Sequence, residues 1–220
     1  MRASGILLHP TSLPSRFGIG DLGIEAYKFV DFLAEGFQQV WQILPLGPTG
    51  YGNSPYLCYS ALAGNPLLIS VEQLQKDGLL ESHQLDNLPE FPANKVDFDL
   101  VVATKMPLLK LASDNFREKS SAEQQDKFQE FCAQYTNWLN DYSLFMALKE
   151  AFHGASWNQW DEAIAKRESS AIAKWRDDLK DSIFYHKFLQ FQFFSQWSSL
   201  KKYANKKKVN IFGDIPIYVA

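Results

Sequence analysis

Cysteine is scarce in this sequence. Cys58 and Cys132 stand alone without metal-type spacing, which excludes a disulfide scaffold and fits a reducing compartment. The four histidines (His9, His83, His153 and His186) are scattered, and no cluster has zinc or EF-hand spacing, so no metal site is expected. No apolar run approaches the roughly 18 residues of a membrane helix. The short apolar stretch 5–8 is too small for a signal peptide. A soluble cytoplasmic protein with no membrane partner is the expectation. The formal net charge of −3 gives no general attraction to nucleic acid. There is no P-loop and no G-x-S-x-G elbow. There is also no internal repeat and no low-complexity tract.

What is abundant is apolar and aromatic. Of the 220 residues 46% are hydrophobic, enough for one large domain or two small ones, and disorder is excluded. Aromatics reach 15%, including 17 Phe and 6 Trp, which leaves some rings for stacking on ligands after the core is filled.

The stretch 40–59 organises the rest. Val40, Ile43 and Leu44 predict a strand over 40–46, doubly buried and therefore part of a parallel sheet. It opens into a loop punctuated by Pro45, Gly47, Pro48, Gly50 and Gly52 and carrying Tyr51, Asn53, Ser54, Tyr56 and Tyr59. Ligands of parallel β/α folds sit beyond the carboxyl ends of strands. No charged residue lies between Trp41 and Ser70. Tyrosine faces and neutral hydrogen-bonding groups suit a sugar better than a phosphate. An ordinary Gly/Pro turn with its rings packed inward accounts for the same residues, and composition leaves the two readings level.

Around this stretch, residues 5–9 read as a first strand and 24–37 as a helix with Gly36 near its stop, giving one βαβ unit. Residues 65–70 read as a short extended piece, 71–80 as a short helix and 82–94 as a linker. From 97 to 203 the pattern is helical, with helices near 99–119, 122–152 and 170–203, the last two either continuous or broken, and a break at Trp157–Trp160. The lysines Lys201, Lys202, Lys206, Lys207 and Lys208 read as a solvated helix end favoured by the dipole; a nucleic-acid patch is the alternative, disfavoured because no aromatic is interleaved. Residues 209–219 read as a third strand with Asp214 inside it. A carboxylate there is costly unless paired, and is either an active-site candidate or a structural residue satisfied by amides. A strand with no helix after it points to the front part of a longer β/α protein. Gly18, Gly20 and Gly23 match G-x-G-x-x-G, but two prolines intervene after the strand, Asp21 would oppose a pyrophosphate, and no acidic residue ends the second strand. A dinucleotide site is disfavoured, and Asp21 is expected to cap the helix.

Several runs together resemble the 4-α-glucanotransferases (amylomaltases, disproportionating enzymes) of the α-amylase clan. They are residues 12–15 with 18–23, 41–56, 63–67, 141–149 and 213–220. The resemblance extends from end to end of the chain and covers less than half of a family member. It implies an α/β fold, the N-terminal part of a (β/α)8 TIM barrel. About three strands fall in the chain, with a large, mainly helical insertion between the second and third. Residues 1–70 would form the first βαβ part and substrate loop, 71–205 the helical insertion, and 206–220 the third barrel strand. The implied activity is retaining transfer of α-1,4-glucan segments to another glucan or to glucose, without a cofactor. Its catalytic carboxylates lie beyond Ala220, so none maps within 1–220. What maps is Tyr56 as a sugar-stacking ring, Gly52, Asn53 and Ser54 as the wall around it, Tyr51 at an accessory glucan site, and Asp214 as support for the catalytic centre. Asn53 stands where many relatives carry Asp. Lys208 stands where relatives often have Gly, a turn at which positive φ would cost about 1 kcal/mol. A non-catalytic carbohydrate-binding or helical interaction module is the alternative.

Overall fold

The computed structural model describes residues 2–219. The chain is α/β and mainly helical, with a small parallel sheet. Strand β1 (Gly5–Leu7) leads through a loop to helix α1 (Ile24–Glu35), which returns to β2 (Val40–Gln42). There follow β3 (Leu57–Cys58), α2 (Val71–Lys76), α3 (Phe98–Lys119), α4 (Ala122–Gln134), α5 (Thr136–Ala151), α6 (Glu162–Ala165), α7 (Ser169–Asp178) and α8 (Lys180–Lys206). Strands β4 (Asn210–Phe212) and β5 (Tyr218–Val219) close the described chain.

The first sheet has the order β1-β2-β4, all parallel, with Ile6, Trp41 and Ile211 in register. Trp41 is fully buried, and its indole donates to the Leu8 carbonyl at 2.8 Å. Helix α1 covers this face: Ala26, Val30 and Leu33 are buried at helical spacing, and the Phe29 ring meets Trp41 edge-on at 5.1 Å. The opposite face is open at Leu7 and Phe212. The carboxyl-terminal half of α8 is tied to α1, where Asp31 accepts from the Tyr203 hydroxyl at 2.7 Å and pairs with Lys207 at 2.7 Å.

The chain divides into two compact units: residues up to 120 together with those from 192 onward, and residues 121–191. In the second, Phe128 of α4 packs on Phe184 and Phe191 of α8 at 5.3 and 5.6 Å, as the aromatic stripe of that helix required. Leu144, Leu148, Trp160 and Ile164 form a separate cluster there.

Several element boundaries differ from the sequence expectation for identifiable reasons. The strand expected over 40–46 ends at Gln42, with one further rung from Ile43 N to Phe212 O at 2.9 Å. Pro45 and Pro48 then have no N–H to continue a ladder. The strand expected over 209–219 is two strands on two partners, separated by an irregular stretch that holds Gly213 and Pro216. Residues 66–68 form a 3-10 turn rather than an extended piece, because the Asn65 side chain caps it by accepting from Leu67 N. The helix expected over 122–152 is broken at Tyr135 (ψ 20), and 170–203 is broken at Leu179 (ψ 19). Asp21 does not cap α1. Gly23 is the N-cap, and Asp21 accepts from Gly23 N one residue earlier, at 2.9 Å. Helix α1 stops at Gly36, but the left-handed position falls on Phe37 (φ 56).

Candidate functional site

The glycine- and tyrosine-rich stretch after β2 is a hairpin. Gly50 N donates to Leu57 O at 2.9 Å, Tyr59 N donates to Pro48 O at 3.0 Å, and Thr49 bridges Cys58. Its tip is the turn Tyr51–Asn53, with Gly52 (φ 73) and Asn53 (φ 53) both left-handed. Gly pays no steric penalty there and Asn is among the few side chains that tolerate it, which gives Asn53 a backbone reason to be present. The Thr49 hydroxyl lies 3.4 Å from Asn53 Oδ1, a weak bond. Ser54 Oγ accepts from Tyr56 N at 3.3 Å and turns the chain back into β3.

Strand β3 pairs with β5, and Tyr218 N donates to Tyr56 O at 3.0 Å. This second ladder stitches the hairpin to the segment that follows β4. It brings together two residues 158 positions apart: the Tyr56 hydroxyl donates to Asp214 Oδ2 at 2.8 Å. Asp214 Oδ1 accepts from its neighbour Ile215 N at 2.8 Å. The carboxylate holds the phenol proton, so the Tyr56 pKa is pushed up from its ordinary value. Asp214 was expected inside a strand; it lies instead in the irregular stretch between β4 and β5 and is exposed. The desolvation cost that made it conspicuous is therefore small, and its partner is a phenol rather than backbone amides alone. Tyr56 is half-buried, whereas Tyr51 is 93% exposed at the hairpin tip.

Beside this pair, at the carboxyl ends of β2 and β4, is a cavity of about 240 Å³ lined by Leu44, Leu46, Ala61, Asp214 and, from α8, Phe193 and Trp197. Its volume lies below the roughly 300–1,000 Å³ of complete small-ligand sites. The wall from α8 requires a close approach at Gly64, where a Cβ would stand 2.0 Å from the Phe193 ring. Ser70 fixes the same helix by a two-point bond with Gln196, at 2.7 and 3.2 Å.

Sequence reasoning missed Phe193 and Trp197, whose apolar character was indistinguishable from core. It also missed Lys105. This lysine is fully buried, donates to Leu67 O at 2.8 Å and pairs with Asp21 Oδ2 at 3.3 Å, which clamps the loop after β1. Burial lowers its pKa and Asp21 opposes that shift. Its signal was a charge inside the apolar register Val101, Lys105, Leu109 of α3. Among the described residues no group of three or more His, Cys, Asp or Glu converges as a metal site, and no helix is long and apolar enough to cross a membrane.

A model of the family described as 4-alpha-glucanotransferase matches residues 8–220. A 4-alpha-glucanotransferase from Synechocystis is 57% identical over 219 residues, covering 100% of this chain and 43% of that protein. One from Thermus thermophilus is 46% identical over 219 residues, with the same coverage of 100% and 43%. Among solved structures, the amylomaltase from Streptococcus agalactiae in complex with acarbose superposes with a TM-score of 0.94 at 41% identity, over 100% of this chain and 44% of that one. The chain thus spans about 43% of the length of the curated relatives it matches.

Proposed function

This chain belongs to the 4-alpha-glucanotransferase family, and from that premise we propose that the protein transfers segments of α-1,4-glucan to an acceptor glucan or to glucose, with retention. Acting on this chemistry, Tyr56 stacks on a sugar ring, Gly52, Asn53 and Ser54 form the wall beside it, and Tyr51 holds an outlying part of the glucan. Asp214 supports the centre by orienting the Tyr56 phenol. The observation that carries the reading is the Tyr56–Asp214 bond, which joins the residue before β3 to the segment between β4 and β5. It ties an aromatic side chain to a carboxylate that borders the 240 Å³ cavity.

A retaining transfer needs a carboxylate nucleophile and an acid/base about 5–5.5 Å apart. We assign neither role to residues of this chain. The three parallel strands, in sequential order and with one face open, fit the first part of a (β/α)8 barrel whose helical insertion separates β2 from β4. We place the protein in the cytoplasm, where its two free thiols are stable, and assign no cofactor or metal to the reaction.

The test is incubation of the intact protein with maltotriose. Glucose together with maltotetraose and longer products is expected. Glucan binding without new chain lengths would replace this reading by that of a binding module, and release of glucose and maltose alone would make it a hydrolase.

A further inference from the structure

The unit of residues 121–191 holds a cavity that the transfer reaction leaves unused. It measures about 320 Å³ and lies between α5, the turn Trp157–Gln159, α6 and α7. Asp141, Leu144, Phe145 and Leu148 line it, at spacings of three, four and seven that place them on one face of α5. They belong to the run 141–149, which carried the family resemblance without a role being assigned to it.

The floor is apolar, formed by Leu144, Leu148 and the buried Trp160 and Ile164. The rim is different. Trp157 is 54% exposed, although tryptophan is ordinarily a well-buried residue. Arg167 and Asp141 also line the cavity, with Arg167 Nη2 donating to Asp141 Oδ2 at 3.0 Å; outside the lining, Arg176 Nη2 lies 3.6 Å from the other carboxylate oxygen. Arg167 has φ 56 and occupies the position after the α6 C-cap, where its N–H reaches Ile164 O at 3.0 Å. Glycine is the usual residue at such a left-handed position. An arginine there strains the backbone and sets a guanidinium beside the cavity.

We propose that this cavity is an accessory α-glucan site. Trp157 lies against the apolar face of a glucose ring, and Asp141 and Arg167 exchange hydrogen bonds with its hydroxyls. The ligand class rests on the transferase reading; the shape and charge are independent of it. The rim offers acceptors and donors together, which suits an uncharged polyhydroxyl. An anion would meet Asp141, and a cation would meet the Arg167 guanidinium. The site gives the helical unit a task, to hold a long glucan while one of its ends reacts elsewhere.

The experiment is native electrophoresis of the intact protein through gels containing glycogen, with maltotriose disproportionation assayed in parallel. Wild type is expected to be retarded. Trp157→Ala and Arg167→Gly each should weaken the apparent affinity roughly three- to tenfold. Arg167→Gly removes the guanidinium while placing glycine at a positive φ. Its melting temperature should not fall, and lost retardation then cannot be ascribed to unfolding. In a Tyr56→Ala background most retardation should persist and should be removed by adding Trp157→Ala. Retardation unchanged by Trp157→Ala, or a wild type that glycogen does not retard, would overturn the proposal. A wild type that is retarded through Trp157 but transfers nothing would sink the transferase reading and leave this site standing.

Discussion

Tyr56 carries two separable functions, a ring and a hydroxyl. The hydroxyl's bond to Asp214 is exposed to solvent, so its loss should cost the reaction little beside the loss of the ring. In the intact protein Tyr56→Phe should lower kcat/KM for maltotriose by about fivefold. Tyr56→Ala, which removes the stacking surface as well, should lower it further while leaving the melting temperature nearly unchanged. Equal kinetics for the two variants would separate the ring from the reaction. A second residue has a pH signature. His9, at the end of the first strand, is mostly buried, its Nδ1 has no hydrogen-bond partner among the described residues, and burial lowers its pKa to about 4. Between that value and the unfolded value of 6.5 the unfolded chain binds a proton that the folded chain does not. Stability from this group is therefore full above pH 6.5 and is lost as the pH falls toward 4, by at most about 3 kcal/mol. Urea titrations at pH 7.5 and 4.5 should show a larger drop for wild type than for His9→Gln, and parallel drops would show that His9 titrates normally.

Between residues and molecule, helix ends decide most of what could be anticipated. The apolar spacing of α1 and the strands on either side of it were legible because one face is buried and the period is unambiguous. That the two longest helical runs could be broken was legible, but the positions of the breaks, Tyr135 and Leu179, were not, since neither residue is a helix breaker. Lys208 was legible as a strained turn, and its φ of 62 bears that out. Its N–H reaches Asn205 O, and Val209 N reaches Ala204 O, closing α8 in the manner usually given to glycine. Lys208→Gly should stabilise the protein by about 0.5–1 kcal/mol, or roughly 2–4 °C in Tm. A fall in Tm would mean that the lysine makes up the backbone strain through its side chain. The loop residues Tyr51 to Tyr56 stood out in the sequence by their chemistry, but their geometry was not legible. No local pattern in the sequence says that β3 will pair with β5, and only that pairing sets Tyr56 beside Asp214.

Taken whole, the described chain leaves an unusual amount of apolar surface at one place. Phe212, Ile215, Ile217 and Tyr218 are all exposed, on or between β4, an edge strand of the three-stranded parallel sheet, and β5. Parallel sheets are ordinarily covered on both faces, and an uncovered apolar edge is a template for association. The relatives supply more than half of their length outside the matched region, and the barrel reading assigns the covering strands to such segments. A polypeptide of these 220 residues alone should therefore bind a hydrophobic dye and self-associate with rising concentration, whereas the intact protein should do neither. On the proposed function it should also give no new chain lengths from maltotriose, because among the described residues Asp214 is the one carboxylate lining the 240 Å³ cavity and a retaining transfer needs two. Transfer by the isolated polypeptide would place the reactive carboxylates inside residues 1–220, with Asp214 the first to be replaced by Asn. Dye binding equal to that of the intact protein would show that the exposed strand edge is covered by the chain's own residues.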